Sequence, residues 1–396
     1  MNIGLVCEGD ASRSETAFSG TAKRIFRSLV EQGHNVKPID ASLHGADRFA
    51  AAALSFAPNR QRWRSNFRYG LRASNLRSAA ARASLGDTSC DLILQIGATY
   101  DPPAYPSIPY ILYCDWNMAL SIRDLRASND AVRLKELPAL EAIEVQHARR
   151  YRHAAAVLTI SRRLRDSFVE LYGLSPERVT SVYAGPNFDP ELIDRAMLQP
   201  KISPPTVLFI AKEFQRKGGD TVAQAMRIVQ QALPETRLAF AGAAELPLEL
   251  RELRNVDHLG LLDKNDPQQL QRLLSAYRQA DLLVLPSRHD PFPTVVREAM
   301  FFSLPCVVSD IWAMPEMVEQ DVSGFLVPPS DPDALAARIL TLLRDPDLCQ
   351  RMGAAARIRA ARLFSWNSVG KAMSDAIART QVPASETLYP LPATSA

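Results

Sequence analysis

Asp290-Pro291-Phe292-Pro293-Thr294-Val295-Val296-Arg297-Glu298-Ala299-Met300 is the stretch on which the reading of this chain turns. An acid stands before a Pro-Phe-Pro turn, and a second acid follows eight positions later. The stretch reads as a loop holding Asp290 and then a helix opening at Pro293 or Thr294. Proline is favoured in a helix's first turn, and Ala299, Met300, Phe301 and Phe302 prolong the run with apolar side chains. Glu298 then falls about one turn inside. The amides near residues 293–295 have no intrahelical partner and can meet an anion, with a carboxylate on each side to hold hydroxyl groups. Taken alone, the two acids also fit a helix N-terminus beside a surface glutamate. The flanks decide. Asp281-Leu282-Leu283-Val284-Leu285 reads as a buried strand before the loop, and Pro305-Cys306-Val307-Val308 as another after the helix. Strand, loop, helix and strand make a βαβ unit, and such units bind ligands at the carboxyl ends of their strands, where Asp290 falls.

The same alternation runs through the whole chain. Strands are expected at Ile3–Cys7, Val36–Ile39, Asp91–Ile96, Tyr110–Cys114, Val157–Ile160 and Val179–Tyr183. A second series is expected at Val207–Ala211, Arg237–Ala241, Asp281–Leu285, Pro305–Val308 and Phe325–Val327. Helical runs lie between them, the first near Gly20–Gln32, with Ser19 as its N-cap and Gly20 letting the backbone approach a ligand. The fold class is α/β, with two Rossmann-like domains of parallel sheet facing a cleft. The expected boundaries are 1–185 for an N-terminal domain, 186–205 for a linker and 206–364 for a C-terminal domain. A C-terminal helix over 365–381 returns to the first domain, and a disordered tail covers 382–396, rich in Pro, Ser, Thr and Ala.

The 396 residues suffice for two cores. No apolar run approaches the ~20 residues that span a bilayer, and the chain opens directly on a strand, so no signal peptide is expected. Five scattered cysteines suit a reducing compartment better than a disulfide frame or a zinc site. The net charge of +3 is modest, but its distribution is not. Between Arg48 and Gly86 there is no Asp or Glu, while eight arginines (Arg48, Arg60, Arg62, Arg64, Arg68, Arg72, Arg77 and Arg82) are interleaved with Trp63, Phe67 and Tyr69. This composition suits an anionic membrane surface. It equally suits a solvated helix or loop over a cleft. It could fit RNA, but no nucleic-acid-binding fold accompanies it, and no nucleic acid is expected as partner.

A second signature is Val207-Leu208-Phe209-Ile210-Ala211-Lys212-Glu213-Phe214-Gln215-Arg216-Lys217-Gly218-Gly219. A strand ends, two lysines five apart follow, and a glycine pair opens a helix. Fixed cations of this kind suit a diphosphate that gains charge as a leaving group departs. Arg216 is expected to face solvent or the helix end. Asp331-Pro332-Asp333 and Asp345-Pro346-Asp347 have the spacing of a D-x-D metal pair, but each reads as a helix N-cap followed by Pro, and no metal is assigned to them.

Asp290-Pro291-Phe292, Glu298-Ala299-Met300, Pro305-Cys306-Val307-Val308, Pro315-Glu316 and Gly324-Phe325-Leu326-Val327-Pro328 recur in the order of a known pattern. Over residues 180 to 370 the chain closely resembles the retaining, nucleotide-sugar-dependent glycosyltransferases of family 4, of GT-B architecture; the first half resembles them weakly. The resemblance implies a hexose transfer from an NDP-sugar, which is substrate and not cofactor, to a saccharide or lipid-linked acceptor without a metal. It implies catalytic roles for Lys212, Lys217, Asp290 and Asp115. Donor binding would fall to Glu298, Thr294, Val295, Pro293, Gly20, His258 and Gly260, with Glu298 on the ribose and His258 and Gly260 near the base. The chain departs from the pattern at Asp290, where Glu is usual, at Lys212, where Arg is usual, and at Cys114-Asp115-Trp116, where many relatives place a His. It departs again at Trp312-Ala313, where two glycines are common, so Trp312 is expected to reshape the sugar pocket. Two other readings stand beside this one: a non-catalytic nucleotide-sugar-binding subunit of a polysaccharide assembly system, and a sugar-nucleotide epimerase, which would want more acid/base residues. The expected location is cytoplasmic, with a peripheral place on the inner membrane face if the Arg-rich segment meets lipid.

Overall fold

The computed structural model describes residues 1–13, 20–127, 134 and 136–380. Its core is two parallel sheets of six strands each. The first comprises β1 (Asn2–Cys7), β2 (Asn35–Asp40), β3 (Leu92–Ile96), β4 (Tyr110–Cys114), β5 (Ala156–Thr159) and β6 (Val179–Ser181), in the order β2-β1-β3-β4-β5-β6. The second comprises β7 (Thr206–Ile210), β8 (Arg237–Ala241), β9 (Val256–Gly260), β10 (Leu282–Leu285), β11 (Cys306–Ser309) and β12 (Gly324–Val327), ordered β12-β11-β10-β7-β8-β9. β3, β4, β5, β10 and β11 are buried at every residue, as expected of strands covered on both faces. The five cysteines are free and buried.

Strand order reverses between β1 and β3 in the first sheet and between β7 and β10 in the second. Such switch points open a crevice at the carboxyl ends of the strands. The loops that leave β7 and β10 approach closely there. Gly218 holds φ +76°, and a Cβ built on it would lie 2.1 Å from the Pro286 carbonyl oxygen, so only glycine fits.

The elements extend the sequence reading in some places and match it in others. Helices Gly45–Leu54, Arg60–Tyr69 and Leu71–Leu85 fill the Arg-rich segment. Edge strand β9 alternates Val, Asp and His and has one neighbour only. A helix at Pro190–Met197 stands within 186–205. Pro293 is the N-cap of helix Thr294–Phe301 and not its first helical residue. Gly20, at φ 87°, is the N-cap of helix Thr21–Glu31; Ser19 and the stretch 382–396 lie outside the described residues. Asp331 and Asp345 cap helices Pro332–Arg344 and Pro346–Phe364 by accepting from Ala334 N at 2.9 Å and Leu348 N at 2.8 Å.

Helix Trp366–Thr380 leaves the second sheet and packs on Thr21–Glu31, where Ser28 Oγ donates to the Trp366 carbonyl at 3.0 Å. Across the cleft, Glu316 accepts from the first two amides of helix Arg162–Tyr172, Arg162 N and Arg163 N, each at 2.7 Å. A carboxylate at a helix N-terminus is favoured there, and this one belongs to the other sheet's domain. Among the described residues no helix is long and apolar enough to cross a membrane.

Candidate functional site

The βαβ unit places its acids where the spacing implies. Asp290 follows β10 and is buried, with its carboxylate in an ion pair with Lys217 Nζ from the loop after β7. Two arginines clamp these loops together. Arg216 donates to the Glu213 carboxylate at 2.7 and 2.8 Å and to the His289 carbonyl at 2.5 Å. Arg288 donates to the Gln215 carbonyl and to Asp220, both at 2.6 Å. Arg216, expected to face solvent or the helix end, is half-exposed and also braces the lysine-bearing turn. Lys212, at the end of β7, is exposed.

Glu298 lies inside helix Thr294–Phe301 and is only 1% exposed. Its carboxylate accepts from Tyr277 Oη at 2.9 Å and from Asn187 N at 3.2 Å, and pairs with Lys264 Nζ. Lys264 also lies 4.2 Å from the centre of the Phe188 ring. Sequence reasoning missed Asn187, Tyr277 and Lys264, because each comes from a different element and none carries a local pattern. The helix's first amides, at Thr294 and Val295, have no side-chain cap. Arg297, one residue before Glu298, was also missed. Its guanidinium is buried, donates to Thr294 Oγ1 at 2.9 Å and to the Phe292 carbonyl at 3.3 Å, and stands over the Phe292 ring. Burial lowers its pKa to about 10.

His258 and Gly260 stand at the end of β9. The His258 ring is 2.9 Å from the Ala243 carbonyl and stacks on Phe240, so its nitrogen is engaged within its own domain. Trp312 has φ +52°, a conformation that suits glycine and costs a bulky residue about 1 kcal/mol or more. Its ring meets His289 edge-on at 4.5 Å and lies under Arg163 of the first domain, so the bulk expected to reshape the pocket bridges the two domains.

Between the sheets lies a cavity of about 1280 Å³. Its floor is the carboxyl ends of the first sheet's strands, represented by Glu8, Gly97 to Tyr100, Tyr113, Asp115 and Ile160. Thr21, just after Gly20, lines it, as do Phe292, Thr294 and Arg297 from the opposite side. Asp115 opens into this space while protein crowds it on every other side; that desolvation raises its pKa, and Arg68 draws it partly back. The structure thus brings Asp290 to Lys217, and puts Asp115 and Thr294 in one cavity. Among the described residues there is no cluster of three or more His, Cys, Asp or Glu side chains able to hold a metal ion.

Residues 193–359 match the family model described as Glycosyl transferases group 1. The D-inositol 3-phosphate glycosyltransferase of Xylanimonas cellulosilytica is 30% identical over 240 residues, covering 57% of this chain and 57% of that one. The chain spans little more than half the length of the curated relatives it matches. Whole-chain likeness is to solved folds. The sucrose-phosphate synthase of Thermosynechococcus elongatus superposes with a TM-score of 0.68 at 18% identity, covering 96% of this chain and 98% of that one. Anabaena HepE in complex with UDP-glucose superposes at 0.61 and 16% identity, covering 96% and 100%. The second sheet's domain thus carries the resemblance to the glycosyl transferases group 1 model, in a chain of GT-B architecture.

Proposed function

We propose that the protein is a retaining glycosyltransferase that moves a hexose from an NDP-sugar to a saccharide or lipid-linked acceptor. The observation that carries this reading is the Lys217–Asp290 pair at the switch point of the second sheet. It sets a cation for a leaving diphosphate beside an acid for sugar hydroxyls. A relative in fold is known as a complex with UDP-glucose, which supports an NDP-sugar as donor. Glu298 holds the ribose hydroxyls, with Tyr277, Asn187 and Lys264 fixing its carboxylate. Lys212, Lys217 and the amides of Thr294 and Val295, behind Pro293, stabilise the diphosphate. His258 and Gly260 border the base, and Gly20 lets the first domain's backbone come close.

In the step itself a bond forms between the acceptor oxygen and the anomeric carbon, on the face from which the phosphate leaves. The bond to the phosphate oxygen breaks and its electron pair stays with the diphosphate. The acceptor's hydroxyl proton passes to that same leaving phosphate. Asp115 orients the acceptor hydroxyl, and Asp290 positions the sugar. The reading assigns no cofactor and no metal. It places the protein in the cytoplasm; Phe49 on helix Gly45–Leu54 and Phe56 in the connection that follows it, 80% and 67% exposed, support a peripheral contact with an anionic membrane.

The test is a thermal-shift screen of NDP-hexoses followed by measurement of NDP release with and without added acceptor. Turnover of a stabilising donor supports the transferase. The engagement of Asp290 by Lys217 favours one other reading, a non-catalytic sugar-nucleotide-binding subunit, and tight binding without any turnover would select it. No stabilisation by any donor would overturn both.

A further inference from the structure

Arg60, Arg64 and Arg68 recur at every fourth position of helix Arg60–Tyr69, so they stand on one helix face. All three line the cavity between the sheets, and Arg48 joins them from helix Gly45–Leu54. The Arg-rich segment therefore turns a cationic row inward, not only towards a membrane. At 1.5 Å per residue the row is about 12 Å long, with a guanidinium roughly every 6 Å. Trp63 and Phe67, between the arginines, line the same wall.

Among the described residues these charges have no ion-pair partner. Among the described residues none of Arg48, Arg60, Arg64 and Arg68 pairs with a carboxylate; Arg68 stands over the Tyr69 ring at 5.3 Å. Among the described residues the cavity is lined by six arginines against two acids, Glu8 and Asp115. Glu8 is already taken by Arg77, 2.9 Å away. Arg68 and Asp115 line the same cavity, and the guanidinium offsets part of the desolvation that raises the Asp115 pKa, so the row leads towards the residue assigned to the acceptor hydroxyl. Guanidinium groups without an ion-pair partner, set along a concave wall, favour a phosphate, which their planar fork meets bidentately. A donor diphosphate does not account for them. On the reading above, it rests on Lys217 and the helix amides of the other domain.

We infer that the acceptor carries a phosphate group, held by the row Arg60, Arg64 and Arg68 with Arg48, and that this row orients its hydroxyl towards Asp115. The inference rests on the transferase reading for the word acceptor; the phosphate site itself does not.

The experiment uses the full chain and two probes. Binding of glucose 6-phosphate is compared with binding of glucose, and vesicles of phosphatidylglycerol are compared with vesicles of phosphatidylcholine. Each is measured for wild type, for Arg60→Gln/Arg64→Gln/Arg68→Gln and for Arg60→Lys/Arg64→Lys/Arg68→Lys. A surface control, Arg62→Gln/Arg82→Gln, changes charges that do not line the cavity. The expected result is that a phosphate probe binds at least tenfold more tightly than its neutral counterpart. The glutamine variant loses this preference, the lysine variant keeps most of it, and the surface control keeps all of it. If glucose 6-phosphate shows this pattern, the phosphate comes from a soluble acceptor. If only phosphatidylglycerol vesicles show it, the phosphate is a lipid headgroup. Equal binding of charged and neutral probes, or a preference that survives the glutamine variant, overturns the inference. Binding of a panel of NDP-sugars is followed on the same samples. Its absence in wild type would sink the donor reading and leave the phosphate result standing, while its persistence in the glutamine variant shows that the variant folds.

Discussion

Lys217 and Asp290 form an ion pair that ties the turn after β7 to the loop after β10, 73 residues apart in the chain. Both side chains are mostly buried. The lysine thus has a structural partner in addition to its proposed diphosphate, and the two roles separate by substitution. Lys217→Ala is expected to lower turnover by roughly 10² to 10³, the usual cost of removing a preorganised charge aimed at a leaving group. It also strands a buried carboxylate, which should lower stability by about 1–3 kcal/mol. Lys217→Ala/Asp290→Asn should recover much of the stability and none of the turnover. Near-normal turnover in Lys217→Ala would place the diphosphate elsewhere.

Glu298 is buried and held from three sides. Glu298→Gln keeps the shape and removes the charge, so the expected effect is on donor affinity. A tenfold weaker Kd corresponds to about 1.4 kcal/mol. Tyr277→Phe removes one of its hydrogen bonds and should act in the same direction by about 0.5–1.5 kcal/mol. Titration calorimetry with the nucleoside diphosphate reads both. A fall in kcat with unchanged affinity would move Glu298 from the ribose to the reacting sugar.

What could be read from the chain follows from how local the signals are. Lys217, Asp290 and Glu298 sit within two strand-loop-helix passages, where strand periodicity and Pro and Gly punctuation position them. Tyr277, Lys264 and Asn187 meet Glu298 only through tertiary folding. The helix Pro190–Met197 did carry a local signal, Asp189 followed by Pro190, but the flanking loops obscured it. The helix Arg60–Tyr69 lacks a fully buried residue, because one face lines the cavity, so its pattern reads as solvated although Arg60, Arg64 and Arg68 line that cavity. β9 was obscured for a related reason: an edge strand with Asp257 and His258 in its middle has no continuous apolar run.

Transfer is expected to continue after chelation. The proposed electrostatic work falls to Lys212, Lys217 and the helix amides, while both Asp-Pro-Asp sequences have their first carboxylate engaged as an N-cap. Activity is to be measured with excess EDTA and again after dialysis. Loss that Mg²⁺ or Mn²⁺ restores would sink the metal-free reading.

His147 gives the cavity wall a pH dependence of its own. The ring is buried, meets Trp116 and Tyr151 edge-on, and has no hydrogen-bond partner on either nitrogen among the described residues. Burial, and then the charge of Arg150, lowers its pKa from 6.5 to about 4. The unfolded chain therefore binds a proton near pH 6.5 that the folded chain refuses until about pH 4. In that window the unfolded state holds more protons, so stability falls as pH falls, by about 3 kcal/mol in all. Glu144 works against this. Burial raises its pKa to about 7, so between pH 4.5 and 7 the folded state holds the extra proton and stability falls as pH rises. The wild-type profile is thus flattened where the two windows overlap. His147→Phe removes one contribution and leaves the other. The stability difference between wild type and variant, from urea unfolding at stepped pH, should be constant above pH 7 and shift steadily in the variant's favour from pH 6.5 towards 4. A difference that does not change with pH would mean that the imidazole is protonated as readily in the fold as in the open chain.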